Sequence, residues 1–507
     1  MTQEHAETAP PKGRKRFGRW TVSILFVIGA VLLGLSWWLM AFSGKVTIDQ
    51  MVVNALGAGG EGAGGSKVVV SGIFWIAVVP LSLGPLLLTS IRKLLASDWK
   101  KSLPRFAEVG VTTALVGTLV AVPVGGAAAI SSTLSIPEYI DSMTSDVSLS
   151  SYYTVPNVVA TPEGEPTNLV LIYMESVEDA LTDPDVFGAD MLTPIEDATE
   201  GWDTITLTQP ANGGWTLGGI INTQCGFPLR MANPALIGNE INNAGADVET
   251  YLPGATCLGD VLEAQGYTSV FMGGANPSFA GKGTFLANHG YGEVLGRPEW
   301  QERGETEFRK DWGLSDRRLM ELAKDKVTEL HEASEPFNLT LLTLDTHPDD
   351  HVYSYCDVTT ENPLNSIYDC SMQQVAGFLD YMDEQGYLED TMVVVMGDHL
   401  RLMGRNNTFV EQLEGIEGRT IFNRIWSPDG VEFAVDEIDQ LSMYPTLLEL
   451  LGYEIENGRA GVGVSALEDN PGPGSVRSLT QERMDELVLA LSQDFYDDVW
   501  GVETSSE

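Results

Sequence analysis

Three long uncharged apolar runs dominate the early chain: WTVSILFVIGAVLLGLSWWLMAF (20–42), VVVSGIFWIAVVPLSLGPLLLTSI (68–91) and VGVTTALVGTLVAVPVGGAAAIS (109–131). Each is long enough to cross ~30 Å of hydrocarbon. Three such runs close together predict transmembrane helices, not buried helices of a soluble domain. The first is too long for a signal-peptide core and has no small-residue cleavage site behind it. From Asn168 onward the pattern changes. NLVLIYM (168–174), TITLT (204–208), SVFMG (269–273), NLTLLTL (338–344) and MVVVM (392–396) read as strands. Continuous apolar runs of this length suit a sheet covered on both faces. Segments 365–386 and 437–451 carry helical periodicity. Strands alternating with helices predict an α/β sandwich with a largely parallel sheet.

Charge orients this arrangement. The net formal charge is −42 over 507 residues. Residues 1–107 carry 12 Lys/Arg and 5 Asp/Glu, whereas the remainder holds a net of −49. KGRKRFGR (12–19) precedes the first span, and Arg92, Lys93, Lys100, Lys101 and Arg105 separate the second from the third. The loop at 43–67 is glycine-rich, with only Lys45 and Lys67. The positive-inside rule therefore places residues 1–19 in the cytoplasm and residues 132–507 on the extracytoplasmic face of the cytoplasmic (inner) membrane. Residues 20–131 read as the anchor and 132–167 as a linker. Residues 168–468 read as the catalytic domain and 469–507 as an acidic tail. So acidic a body repels nucleic acid, whose binding relies on Lys/Arg neutralising phosphates. Cys225, Cys257, Cys356 and Cys370 all fall in the outer part. Without a CxxC pair they do not read as a zinc site. Sequence order suggests Cys225–Cys257 and Cys356–Cys370 disulfides, with three connectivities open.

In open α/β sheets ligands bind beyond the carboxyl ends of the strands. NLVLIYM runs into Glu175, NLTLLTL into Asp345-Thr346-His347, and MVVVM into Gly397-Asp398-His399. TITLT leads through QPANGGW to Thr216. An isolated acid after a strand is usually a cap or loop residue, but Glu175, Thr216, Asp398 and His399 together form a metal-ligating set. Carboxylates with one imidazole suit a hard or borderline ion such as Mn²⁺ or Mg²⁺. A threonine hydroxyl on such an ion becomes a nucleophile near neutral pH. Glycines 213, 214, 218 and 219 are expected to let a phosphoryl group approach the backbone. A helix starting near Thr216 is expected to point free N–H groups at that anion.

The stretches NLVLIYMESVE (168–178), GGWTLGGIINTQCGFPL (213–229), CLGD (257–260) and GANPSFAGKGTFLANHGY (274–291) extend the pattern. So do DWGLSD (311–316), LTLDTHPDDH (342–351), DCS (369–371) and GDHL (397–400). Across about 165 to 467 the chain resembles the phosphoglycerol transferases of the lipoteichoic-acid-synthase-like branch of the alkaline phosphatase/sulfatase superfamily. Its members that decorate periplasmic glucans are the nearest likeness. The resemblance implies an alkaline-phosphatase-like sandwich behind three transmembrane helices. It implies a phosphatidylglycerol donor in the lipid bilayer, an envelope glycan acceptor, a Mn²⁺ cofactor (Mg²⁺ as the alternative) and a phosphothreonine intermediate. Carried over by motif, Thr216 is the nucleophile, and Glu175, Thr216, Asp398 and His399 are the metal ligands. His347 is a general acid/base near the phosphate. Lys282 stands where related synthases carry a phosphate-contacting arginine, and Ala280 replaces a tryptophan of their motif. Arg401, Arg405, Asn406 and Asn407 follow the metal motif and are candidates for an anionic head group, with Arg401 foremost. His289 and His351 are lesser candidates. Three other readings stand beside this one. A phosphoethanolamine transferase generally brings further histidines for a second metal, and the chain has six in all. A sulfatase-type hydrolase needs C/S-x-P-x-R, which Thr216-Leu217-Gly218 does not supply. The last is a non-catalytic envelope-binding or sensory protein.

Overall fold

The computed structural model describes residues 12–46, 51, 70–143, 145–162, 164–211, 213–230, 250–309, 312–348, 350–405 and 407–502. Residues 1–11 of the basic N-terminus, most of the 43–67 loop, and Asn406 lie outside the described residues. The chain divides into two compact units.

The first unit holds α1 (Lys12–Phe42), α2 (Val79–Ala96) and α3 (Arg105–Thr133), with a π-helical stretch, Phe74–Val78, leading into α2. The apolar stretches Trp20–Phe42, Val70–Ala96 and Arg105–Thr133 are each long enough to span a bilayer. The second and third helices run a few residues beyond the apolar runs that predict them. Small residues bring α1 and α3 together: a Cβ on Gly126 would sit 2.3 Å from the Gly29 carbonyl oxygen. Such close approach is how helices associate where lipid removes the hydrophobic driving force. Ser36 Oγ and Thr133 Oγ1, 2.7 Å apart, satisfy each other in this apolar setting. Leu86 and Val120 remain exposed, as a lipid-facing surface requires.

The second unit is built on β1 (Asn168–Met174), α4 (Thr216–Cys225), β2 (Thr268–Gly273), α5 (Lys282–Asn288), β3 (Tyr291–Leu295), α6 (Asp316–Ala333), β4 (Phe337–Leu342), α7 (Pro363–Glu384), β5 (Thr391–Gly397) and β6 (Asn423–Trp426). Helices α8 (Met443–Leu450), α9 (Gln481–Leu489) and α10 (Gln493–Val499) follow. The sheet runs β3-β2-β4-β1-β5-β6, parallel throughout except for β6. Every residue of β1 and β5 is buried. The reason is a core on each face. Leu169, Leu171 and Tyr173 face one with Ile220, Ile221 and Leu447. Val170, Ile172 and Met174 face the other with Leu319, Val327 and Phe378. The period-2 alternation of a strand thus puts apolar groups on both sides, and the run reads as continuous. The three central strands β4, β1 and β5 end side by side, which brings their carboxyl-terminal residues into one place.

Several expectations need correction. TITLT does not join the central sheet: Thr206–Thr208 pairs in parallel with Glu437–Asp439. That pairing also removes 437–439 from the expected helix 437–451. Asp439 then accepts from Ser442 N at 3.0 Å, and the chain becomes α-helical only at Met443. The expected linker is partly folded: Leu149 is fully buried, and Val158–Ala160 pairs with Glu454–Ile455. The segment read as an acidic tail packs Leu487, Val488, Phe495, Tyr496 and Val499 into the core. Net acidity masks an amphipathic pattern there, because the acids occupy only the outer faces of α9 and α10. The disulfides are Cys225–Cys257 and Cys356–Cys370, the pairing that sequence order suggests.

Candidate active site

Glu175 follows β1 directly, and Asp398 and His399 follow β5. Their ligand atoms lie within 4.8 Å of one another, and all three residues are buried. Thr216 opens α4, and its Oγ1 donates to Glu175 Oε2 at 3.2 Å. Trp215 is the N-cap in an extended conformation and supplies no side-chain cap, so the first N–H groups of α4 face the cluster without a capping partner. Such a helix end favours an anion.

Close packing holds these parts. Ser176 adopts a positive φ of 57°. Its N–H reaches Asp398 Oδ1 at 2.8 Å, and its hydroxyl donates to Glu175 Oε1 at 2.7 Å. Thr343 Oγ1 accepts from Glu175 N, and Gln440 Nε2 donates to Asp398 O at 2.7 Å. Neither Ser176, Thr343 nor Gln440 is evident from the strand-end reading. Only MESVE, with a serine directly after the acid, carries a hint. Two of the glycines around Thr216 also have a packing reason. A Cβ on Gly219 would lie 1.9 Å from the Asp398 carbonyl oxygen. One on Gly213 would lie 2.7 Å from Asn222 Nδ2 and 2.8 Å from Gln440 Oε1. Gly219 lets α4 press against the residue after β5, and Gly213 lets the approach to α4 pack on Asn222 and Gln440.

The electrostatics of the cluster suit a cation. Burial, then the neighbouring Glu175, pushes the Asp398 carboxyl up to about 7. Asp398 Oδ2 is buried with no hydrogen-bond partner. Burial raises the Glu175 carboxyl too, but the imidazoles of His347 and His399 outweigh it and hold it below its ordinary value. Burial lowers His399, and Asp398 and Glu175 more than compensate, so its imidazole is raised. Two buried carboxylates, one of them with an oxygen lacking a hydrogen-bond partner, an imidazole and a hydroxyl form a donor set that fits a divalent cation.

Lys282 is the first residue of α5, behind a turn in which Ala280 and Gly281 take φ of 56° and 75°. It is buried, its Nζ 5.6 Å from the Phe271 ring centroid. Burial lowers its ammonium to about 8 against the pull of Glu175 and Asp398. His347 lies beyond β4, near enough for Glu175 to counter the lowering that burial imposes on it. Arg401 is buried too, but its guanidinium donates to Thr346 O, Thr408 O and Tyr368 Oη. It shapes the walls of the site through these protein contacts. His289 engages Asp260 and the Tyr251 carbonyl, a structural arrangement. His351 stays exposed beside Tyr353.

Fold and site define a class: an α/β sandwich whose central parallel strands deliver carboxylates and imidazole to a hydroxyl at a helix N-terminus. Within that class, the sulfatase family model matches residues 167–453, more than half of the chain, and the chain belongs to the sulfatase family. It is 33% identical over 288 residues to phosphoglycerol transferase I of Escherichia coli (strain 55989 / EAEC), covering 55% of this chain and 36% of that protein. It is 35% identical over 258 residues to phosphoglycerol transferase I of Xanthomonas campestris pv. campestris, covering 49% of this chain and 36% of that protein. The match therefore spans little more than a third of these relatives' length. The lipoteichoic acid synthase LtaP from Listeria monocytogenes superposes with a TM-score of 0.49 at 14% identity, over 68% of this chain and 96% of that one.

Proposed function

We propose that this chain is a membrane-anchored phosphoglycerol transferase. It moves glycerol phosphate from phosphatidylglycerol to a hydroxyl of an envelope glycan, a periplasmic glucan foremost, through a phosphothreonine at Thr216. The observation that carries this reading is Thr216 Oγ1 at the head of α4, hydrogen-bonded to Glu175 within the Asp398–His399 cluster. The names of the relatives support it.

Glu175, Thr216, Asp398 and His399 would hold the ion, Mn²⁺ foremost. Once bound, it would supply Lewis acidity that lowers the pKa of the Thr216 hydroxyl. The chain's own groups do the rest. Thr216 Oγ1 gives up its proton to His347 Nε2 and attacks phosphorus, and the bond to the diacylglycerol oxygen breaks. His347 passes that proton to the departing oxygen, and diacylglycerol leaves. His347 Nε2 then takes the proton of an acceptor hydroxyl, which attacks the phosphothreonine, and hands it to Thr216 Oγ1 as the phosphothreonine bond breaks. Lys282 and the N–H groups of α4 stabilise charge on the non-bridging oxygens. With the anchor in the bilayer and the second unit on the outer face, the donor is a lipid of the same membrane.

The test is diacylglycerol release by the purified full chain with Mn²⁺. Release from phosphatidylglycerol is expected. Turnover of phosphatidylethanolamine alone would favour the phosphoethanolamine reading, and turnover of neither lipid the binding-protein reading. Lys282 adds a pH signature. Its ammonium, lowered to about 8, is charged below that pH and neutral above it. The kcat/KM profile is therefore expected to fall above about pH 8, and Lys282→Arg to move that limb upward. Lys282→Ala is expected to cost roughly 100-fold or more. A profile unchanged in Lys282→Arg would remove the lysine from the phosphate site.

A further inference from the structure

Beside its own backbone bond from His347 N to Leu344 O at 3.0 Å, the turn that carries His347 is held by a set of side chains. Asp316, at the start of α6, accepts from Leu344 N at 2.6 Å and from Asp345 N at 3.1 Å. Ser371 Oγ adds a third hydrogen bond to Asp316 at 2.7 Å, and Asp316 N returns one to Asp345 Oδ2 at 3.0 Å. Arg309 Nη2 donates to His347 O at 3.1 Å. Trp312 Nε1 donates to Pro348 O at 3.0 Å, and its indole lies 4.0 Å, centroid to centroid, from the imidazole. His347 Nδ1 meets the same Pro348 carbonyl at 2.5 Å. A carbonyl only accepts, so Nδ1 carries a proton; burial lowers the imidazole, and in the neutral ring Nε2 keeps its lone pair.

The segment that provides these groups is itself fixed. Arg309 N bonds Gly313 O at 2.7 Å, and Leu314 N bonds Gly274 O at 3.0 Å. A Cβ on Gly313 would stand 1.8 Å from the Gly274 carbonyl oxygen, so only glycine lets the segment lie flush on the end of β2. Arg309, Gly313 and Leu314 are thus fixed beside the end of β2. A buried carboxylate accepting two backbone N–H groups is a strong, directional hold.

We propose that Asp316 and Trp312, with Arg309, are positioning residues that lock the His347 turn in the Nδ1-protonated tautomer, so that Nε2 is the atom offered to the reacting groups. This rests on the reading of His347 as proton carrier, but the lock can be measured without any turnover. Asp316 holds the backbone of the turn, and Trp312 holds the ring plane and the carbonyl that selects the tautomer. Neither touches substrate.

The experiment uses the full chain in detergent micelles, labelled with ¹⁵N-histidine, as wild type, Asp316→Asn and Trp312→Phe. The wild type is expected to show His347 as the pure Nδ1-protonated form, assigned by its loss in His347→Gln. In both variants His347 is expected to become a mixture of tautomers while the remaining histidines keep their signals. With phosphatidylglycerol, kcat is expected to fall roughly 10- to 100-fold at unchanged KM and unchanged Mn²⁺ retention. Trp312→Phe keeps an aromatic ring and tests the idea should Asp316→Asn fold poorly. An unaltered His347 signal in Trp312→Phe would overturn the proposal. So would a variant in which all histidine signals and Mn²⁺ retention change together, which marks general unfolding. If the wild type transfers no glycerol phosphate, the functional reading fails while the tautomer measurement still decides the lock.

Discussion

Thr216→Ala is expected to abolish transfer while leaving the fold intact. The nucleophile is the one group for which no neighbour can substitute, and losses on the order of 10⁴-fold or more are typical when such a group is removed. Structure explains why stability should hardly change. The Thr216 side chain caps nothing, since Trp215 is the N-cap, and among the described residues its hydrogen bond goes to Glu175. Alanine also suits the first turn of a helix. A stability change within about 1 kcal/mol is expected. Two measurements check this. Diacylglycerol release from phosphatidylglycerol should vanish, and the glycerophosphoryl mass increment on the trapped wild-type protein should be absent from the variant. An increment that persisted would place the covalent step elsewhere.

Asp398→Asn is expected to act in opposite directions with and without metal. Without metal, the Asp398 carboxyl is raised to about 7, so between its ordinary value near 4 and about 7 the folded state binds more protons than the unfolded state. Stability from this group therefore falls as pH rises through that window. Asparagine keeps an oxygen for the N–H groups of Ser176 and His399 and removes the like charge beside Glu175. The chelated variant should match or exceed the chelated wild type at pH 7, with the advantage fading toward pH 4. With Mn²⁺ the order reverses. Losing a charged ligand should weaken affinity by more than the 10- to 100-fold seen for outer partners, and the metal-induced rise in Tm should disappear. Thermal unfolding at two pH values, with chelator and with Mn²⁺, reads all four arms. A variant that kept its full Mn²⁺-induced shift would remove Asp398 from the ligand set.

Much of this was legible in the linear chain because hydrophobic period and strand-end chemistry are local. A buried parallel strand must be apolar on both faces, so β1, β4 and β5 announce themselves, and their next residues are Glu175, the Asp345-Thr346-His347 turn and Asp398-His399. Where the local signal misleads, a partner distant in sequence decides. TITLT has strand character, yet it pairs with 437–439 away from the main sheet. The acidic tail hides apolar faces that only the core reveals. What holds Arg401 is also invisible in the linear chain: its guanidinium meets Thr346, Thr408 and Tyr368.

By itself, the sequence determined three membrane-length helices, an α/β domain behind them, and Thr216, Glu175, Asp398 and His399 as candidates for one chemical set. Each follows from composition and period along a short stretch. Only the tertiary structure decided why glycines surround Thr216 and what holds His347. Gly219 is needed because the Asp398 carbonyl, nearly 180 residues later, occupies the space of a Cβ. The His347 turn is held by Asp316, Trp312 and Arg309, which lie at and before the start of α6. Contacts of that kind depend on which strand ends lie side by side, and strand order is a property of the folded chain.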